Sequence, residues 1–247
     1  MKPLLIILTG HAPETIRNRH GDFDHWFRIA LHRPVQDVRV IDASAGDALP
    51  DITGIRGAVI SGSAAMVTEK LAWSENLAGW IRNAMDVRLP LFGVCYGHQL
   101  MAHALGGRVD VLPGGREIGT KGVDILEPGV DDRLLEGMSP RFPAHTTHMQ
   151  SVLEAPGEAQ VLARSAQDPH QILRYGSHAV STQLHPEFSS AVMRAYLRLR
   201  STDLRAEGLD PKTLLDEVHA TPKARRLLRR FAHHATHPES RAMDTAA

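Results

Sequence analysis

The sequence has almost no cysteine, few aromatic residues, no excess of either charge and no long apolar run, and each shortage excludes something. A single cysteine among 247 residues, Cys95, rules out an internal disulfide and a cysteine-rich zinc site, and it suits a reducing cytoplasm. Basic and acidic residues balance at 28 each, so no bulk field draws the chain to nucleic acid or to an anionic membrane. Aromatics are only 5% of residues, which leaves the core to aliphatic side chains; at 43% hydrophobic overall, the chain still has enough of them for a proper core. The N-terminal apolar run, Leu4 to Leu8 between Pro3 and Gly10, is too short for a signal peptide or a membrane span and reads as a first, central, parallel strand.

What is present is a regular alternation. Gly10 to Gly21 reads as irregular; Asp22 then caps a helix carrying Phe23, Trp26, Phe27, Ala30 and Leu31. Val38 to Ile41 is an edge-like strand and Gly57 to Ser61 another. Trp73, Leu77, Trp80 and Ile81 mark a second helix, and Leu89 to Val94 a fourth strand. Gly97 opens a further amphipathic helix that Gly106-Gly107 stops. Strands alternating with helices imply right-handed βαβ units on a mostly parallel sheet. After Arg108 come shorter strand candidates (109–111, 122–126, 149–153, 160–163, 171–175 and 179–184), read as hairpins added to that sheet. Helices follow from Ser189 or Ser190, from Asp210-Pro211 and from Thr221-Pro222, and the chain after about His233 reads as frayed.

Three stretches carry chemistry. In Gly93-Val94-Cys95-Tyr96-Gly97-His98-Gln99, an apolar strand runs through small residues into a helix, which presents Cys95 at the apex of a tight elbow. A cysteine nucleophile needs an imidazole and a group to orient it. His185-Pro186-Glu187 offers both at a probable strand end, with Pro186 stiffening the link. Val59-Ile60-Ser61-Gly62-Ser63 is another strand ending in a small-residue turn. Parallel neighbours place their carboxyl ends on one edge, so the N–H of Gly62 and that of Tyr96 can meet there as an oxyanion hole.

These stretches together resemble the class I (triad) glutamine amidotransferase family over roughly residues 4 to 200, in particular stand-alone domains similar to the amidotransferase half of GMP synthase, including plant γ-glutamyl peptidases. The resemblance implies a flavodoxin-like, three-layer αβα fold with a mostly parallel central sheet, comprising residues 1–200, with 201–247 as a C-terminal helical extension. It implies that Cys95 attacks the side-chain amide of glutamine to give a γ-glutamyl thioester, that His185 moves the protons, and that Glu187 orients His185. Gly62 and Tyr96 hold the oxyanion, and Ser63, Gln99, His148 and Met149 contribute to substrate binding. The reaction uses no cofactor and no metal. His148-Met149-Gln150 matches a segment that closes over the glutamine α-carboxylate; where many relatives carry Asp, this chain has Gln150 and a charge is lost.

The remaining features take plainer readings. Fifteen histidines, including His145, His148, His233, His234 and His237, show no spacing of a known metal site. Lys223, Arg225, Arg226, Arg229 and Arg230 form a solvated basic face backed by Leu227, Leu228 and Phe231. No phosphate-binding glycine loop follows Arg200, so a synthetase that used the ammonia would be a separate chain. The competing function is a γ-glutamyl peptidase or hydrolase with the same triad. A regulatory, non-catalytic relative has no need of Glu187.

Overall fold

The computed structural model describes residues 2–236. Eleven strands and nine α-helices are formed among these residues: β1 (Leu4–Leu8), α1 (Glu14–His20), α2 (Phe23–Leu31), β2 (Val38–Asp42), β3 (Gly57–Ile60), α3 (Ala72–Asp86), β4 (Leu91–Val94), α4 (Tyr96–Ala104), β5 (Arg108–Val111), β6 (Glu117–Ile125), α5 (Glu127–Val130), β7 (Arg141–His148), β8 (Gln150–Glu154), β9 (Gln160–Arg164), β10 (Ile172–Tyr175), β11 (Ala179–Thr182), α6 (Ser190–Leu199), α7 (Ser201–Ala206), α8 (Pro211–Asp216) and α9 (Pro222–Thr236).

Nine strands make one sheet in the order β2-β1-β3-β4-β11-β10-β9-β6-β7, and β5 and β8 pair separately. From β2 to β11 the neighbours are parallel; from β11 onward they are antiparallel. The parallel strands are buried on both faces, as continuous apolar runs require. Leu4, Ile6 and Leu8 point to one face with Val59 and Phe92, where α1, α2, α6 and α9 cover them; Leu5, Ile7, Ala58 and Ile60 point to the other, under α3 and α4. The expected three-layer αβα architecture with a mostly parallel core is therefore formed. β1 is interior but not central: it lies one strand from the edge, between β2 and β3, because double-sided burial demands only neighbours on both sides.

Several elements differ from expectation. α1 forms where an irregular segment was expected; only Ile16 of it is buried, so it has no apolar period to read. α7, similarly, buries only Leu204. β7 is hidden by Pro143 and by buried Thr146 and His148, and its place at the end of the sheet is where a strand proline is tolerated. α4 is buried almost all round instead of amphipathic, since α3, β5 and β8 pack against it. The basic helix α9 buries Leu227, Leu228 and Phe231, and Phe231 meets Phe92 edge-on at 5.3 Å. Only part of its basic face is solvated: Arg230 donates to the Leu134 carbonyl, Lys223 to Ser139, and Arg225 to the carbonyls of Glu187 and Phe188. His233 and His234 lie in the last turns of α9, so helix continues where fraying was expected, to Thr236; His237 and the rest of the tail lie outside the described residues.

Candidate active site

Cys95 sits between β4 and α4 with φ 52° and ψ −100°, a conformation that few non-glycine residues adopt. Three contacts impose it. The Cys95 N–H donates to the Thr182 carbonyl of β11 at 2.8 Å, the Gly97 N–H to the Ser61 carbonyl at 3.1 Å, and the Gln99 N–H to the Cys95 carbonyl at 3.0 Å. The two flanking glycines are needed for close approach. A Cβ on Gly93 would lie 2.5 Å from the Gly97 carbonyl oxygen, and one on Gly97 would lie 2.5 Å from that of Ile60. The elbow is thus wedged between β3 and β11 with no room for a larger residue on either side.

His185 follows β11, and its N–H is anchored to the His145 carbonyl at 2.8 Å. Its Nδ1 bonds Glu187 Oε1 at 2.7 Å, and both side chains are buried. Phe188 stacks on the imidazole at 4.1 Å between centroids, with Tyr196 stacked behind it at 5.1 Å and Trp26 edge-on at 5.4 Å. The ring is thereby fixed in plane and tautomer. Nε2 makes no hydrogen bond of normal geometry, yet Cys95 is near enough to act on its charge. Burial by itself lowers the His185 pKa; the Glu187 carboxylate and then Cys95 outweigh it and carry the value up to about 10. An imidazolium is the favoured form at neutral pH.

Gly62 closes the third side. A Cβ there would lie 3.2 Å from His185 Cε1 and 3.6 Å from Cys95 Cβ. Its turn is held from β1, where Thr9 Oγ1 donates to the carbonyls of Ser61 and Gly62, each at 3.0 Å. The Tyr96 N–H belongs to the first turn of α4, where backbone donors have no partner within the helix. The Tyr96 ring points away, its hydroxyl bonded to Ser74 of α3 at 2.6 Å. Cys95, His185, Glu187, Gly62 and Tyr96 are therefore one group at the carboxyl ends of β3, β4 and β11.

Two small cavities meet at Cys95. A polar one of about 130 Å³ is lined by Ser63, Gln99, Arg116, Met149, Gln150 and Arg200, among others. A narrower one of about 50 Å³ is walled by Phe23, Phe188 and Tyr196 with His11 at its edge. Ser63, Ala64, Thr147 and Arg200 border both. The thiol lies 4.0 Å from the Thr147 carbonyl oxygen. Of the expected binding residues, Ser63, Gln99, His148 and Met149 all reach the polar cavity, but Gln99 and His148 are also held internally. Gln99 Nε2 donates to the Gln150 carbonyl at 2.7 Å and to Gln183 at 3.0 Å. His148 has Nδ1 at 3.0 Å from that same carbonyl and Nε2 at 2.9 Å from Glu117. Gln150, in turn, donates to Thr68 at 2.6 Å.

Glu117, His148 and Asp168 bring three possible metal-ligating atoms within 4.8 Å. The carboxylates are already engaged: Glu117 accepts from Ser165 at 2.6 Å and Gln171 at 2.7 Å, and Asp168 from Ser151 at 2.6 Å. This donor set serves as a polar clamp beneath the Met149 turn, with no ligand atom left uncommitted to recommend it for a metal.

Sequence reasoning missed Arg116, Arg200, Thr147, and the aromatic stack behind His185. Phe188 stands beside Glu187 in sequence, so adjacency to the histidine was a usable signal for it; Tyr196, on α6, reaches the stack only through the fold. Arg116 and Arg200 gave none; they come from distant segments that only the fold brings together.

Residues 31–201 match the family model "Glutamine amidotransferase class-I". The chain is 35% identical over 144 residues to the glutamine-hydrolysing GMP synthase of Aeropyrum pernix, covering 58% of this chain and 25% of that protein. It is 27% identical to γ-glutamyl peptidase 4 of Arabidopsis thaliana, covering 78% of each. The chain spans about a quarter of the length of the first GMP synthases it matches. The crystal structure of a glutamine amidotransferase from Thermotoga maritima superposes with a TM-score of 0.74 at 21% identity, covering 95% of this chain and 97% of the other, a likeness of fold.

Proposed function

Since the chain belongs to the class-I glutamine amidotransferase family, we propose that Cys95, His185 and Glu187 hydrolyse the side-chain amide of L-glutamine through a γ-glutamyl thioester and release ammonia. The observation that carries this reading is the buried His185–Glu187 pair beside a cysteine held at an elbow, with the turn of Gly62 on the opposite side. Cys95 as thiolate attacks the amide carbon, and the carbonyl oxygen, becoming negative, is met by the N–H groups of Gly62 and Tyr96. The His185 imidazolium gives its proton to the nitrogen, the C–N bond breaks and ammonia departs. Neutral His185 then takes a proton from water, the hydroxide adds to the thioester, and glutamate leaves as the thiolate is restored. Glu187 keeps Nδ1–H directed at itself and stabilises the ring's charge throughout. Ser63, Gln99, His148 and Met149 shape the polar cavity for the amino-acid end of the substrate, with Gln99 and His148 acting on the Gln150 carbonyl.

In this reading the ammonia passes to an acceptor handled by a separate synthetase subunit. Residues 1–200 form the amidotransferase domain and the helices from Ser201 an extension packed on it; the balanced charge suits a cytoplasmic protein that uses neither nucleic acid nor membrane. No described helix is long and apolar enough to cross a membrane.

A second reading, γ-glutamyl peptidase, is favoured by one feature: the aromatic-walled cavity on the far side of Cys95, which departing ammonia does not need. Ammonia release from L-glutamine and amino-acid release from γ-glutamyl peptides, measured on the same sample, separate the two. Turnover of peptides without glutamine overturns the amidotransferase reading. Turnover of either by Cys95→Ala overturns the mechanism.

A further inference from the structure

Two arginines stand at the polar cavity, and they are not equivalent. Arg116, just before β6, is 7% exposed and is gripped by Glu207, whose carboxylate oxygens accept from its Nε at 2.9 Å and its Nη2 at 2.8 Å. Arg200, between α6 and α7, borders both cavities at Cys95, and among the described residues its guanidinium makes no hydrogen bond or ion pair. Its Nε is fully shielded from solvent and has no acceptor.

That is an expensive arrangement to leave unfilled. A guanidinium presents five N–H donors in a planar fork and accepts nothing, so a shielded Nε without an acceptor loses its hydration for no return. Burial lowers the Arg200 pKa and the neighbouring Arg116 charge lowers it further, so two like charges are held close in a partly dry place. Tyr196, then Asp203 and Glu207, are near enough to oppose this through charge, but none of them bonds the Arg200 guanidinium, and Arg116 has taken both oxygens of Glu207. What the guanidinium lacks is an acceptor, and the two cavities that Arg200 borders are where one can enter.

We propose that Arg200, with Arg116 holding Glu207 away from it, is an anion-binding subsite that receives a carboxylate of the substrate whose γ-glutamyl carbonyl lies at Cys95. This inference rests on the Cys95–His185–Glu187 reading, since that reading places the scissile bond between the two cavities. Carboxylate is the matched chemistry: its two oxygens meet the guanidinium fork in parallel, and the single guanidinium left open takes one such group. Two carboxylates of a γ-glutamyl substrate qualify. One is the α-carboxylate of the glutamyl part, in the polar cavity; the other is a carboxylate on the departing amine, in the aromatic-walled one. Arg200 borders both spaces.

Four substrates and three proteins decide it. Wild type, Arg200→Gln and Arg200→Lys are assayed on L-glutamine, L-glutamine α-amide, γ-glutamylglycine and γ-glutamylglycinamide, after thermal melts show that each variant folds. For the α-carboxylate, Arg200→Gln raises KM about 10- to 100-fold on every substrate except the α-amide, the loss expected for a charge-assisted pair. For a leaving-group carboxylate, the rise is confined to γ-glutamylglycine. In both cases kcat moves little and Arg200→Lys recovers part of the loss, because it keeps the charge without the fork. An equal KM rise on all four substrates, or none on any, overturns the subsite while leaving the hydrolysis intact. Binding to the Cys95→Ala protein, titrated calorimetrically with L-glutamate and with γ-glutamylglycine, tests the subsite without turnover. If Arg200→Gln in that background leaves both Kd values unchanged, the subsite is wrong even if no substrate is ever hydrolysed.

Discussion

Two buried histidine–carboxylate pairs lie close together in this molecule and have opposite characters. His185 gives one nitrogen to Glu187 and keeps Nε2 unbonded beside a cysteine. His148 gives one nitrogen to Glu117 and the other to the Gln150 carbonyl. A proton can be moved only by a nitrogen with somewhere to send it. In the proposed reaction the first pair moves the proton, whereas the second holds a turn in place. Residue types alone do not separate them, since each is a histidine with an acid; only the second nitrogen does.

The comparison is broken most severely at the reacting atoms. Cys95→Ala and His185→Gln should each reduce turnover by about ten-thousandfold, the scale seen when a member of a cooperating catalytic group is removed; thermal stability should be nearly unchanged in Cys95→Ala and lowered in His185→Gln, which leaves the buried Glu187 carboxylate without its partner. A residual rate within about tenfold of wild type would move the chemistry elsewhere.

The next effect is on pH. His185 has a folded pKa of about 10 against an ordinary 6.5, raised against burial by Glu187 and Cys95. A raised folded pKa contributes stability that is fully present below pH 6.5 and is lost as pH climbs toward about 10. Glu187→Gln should therefore melt furthest below wild type under pH 6.5, and the gap should narrow through that window. The alkaline limb of its kcat/KM profile should also fall at lower pH than that of wild type. A limb that does not move would mean that Glu187 leaves the imidazolium unaffected.

Gly62→Ala comes third. No positive φ restricts Gly62, so the added methyl presses on His185 and Cys95 and not on the backbone. Activity should drop by about 10²- to 10³-fold, the scale of a lost oxyanion donor, while the melting temperature barely changes. A matched loss of folding would make the turn structural.

The smallest catalytic effect belongs to the second pair. Glu117→Gln should lower stability by about 1–3 kcal/mol, through broken pairing with His148, Ser165 and Gln171, and change kcat by less than about tenfold. Adding zinc or a chelator should leave activity and melting temperature as they were, because the ligand atoms of Glu117, His148 and Asp168 are already engaged. A chelator-sensitive melt would reverse this reading of the pair.

The legible parts of the sequence were those with an imposed period or an imposed smallness. β1, β3 and β4 must be continuous apolar runs because they are covered on both faces, and the elbow must keep Gly93 and Gly97 because a Cβ at either meets a backbone carbonyl. α1 and α7 were illegible for the opposite reason, each anchored by one buried side chain. β7 was obscured by its polar buried residues, of which His145 and His148 find their partners on β6 and β8.

By itself, then, the sequence determined the order strand–elbow–helix around Cys95, the pairing of His185 with Glu187 two residues on, and the parallel core, since each is set by neighbours along the chain. Tertiary structure decided which of the two carboxylate-paired histidines retains an unbonded nitrogen, where Arg200 ends up, and that Arg116 withholds Glu207 from it. Those outcomes depend on which distant groups compete for the same donors and acceptors, and that competition exists only once the chain has folded.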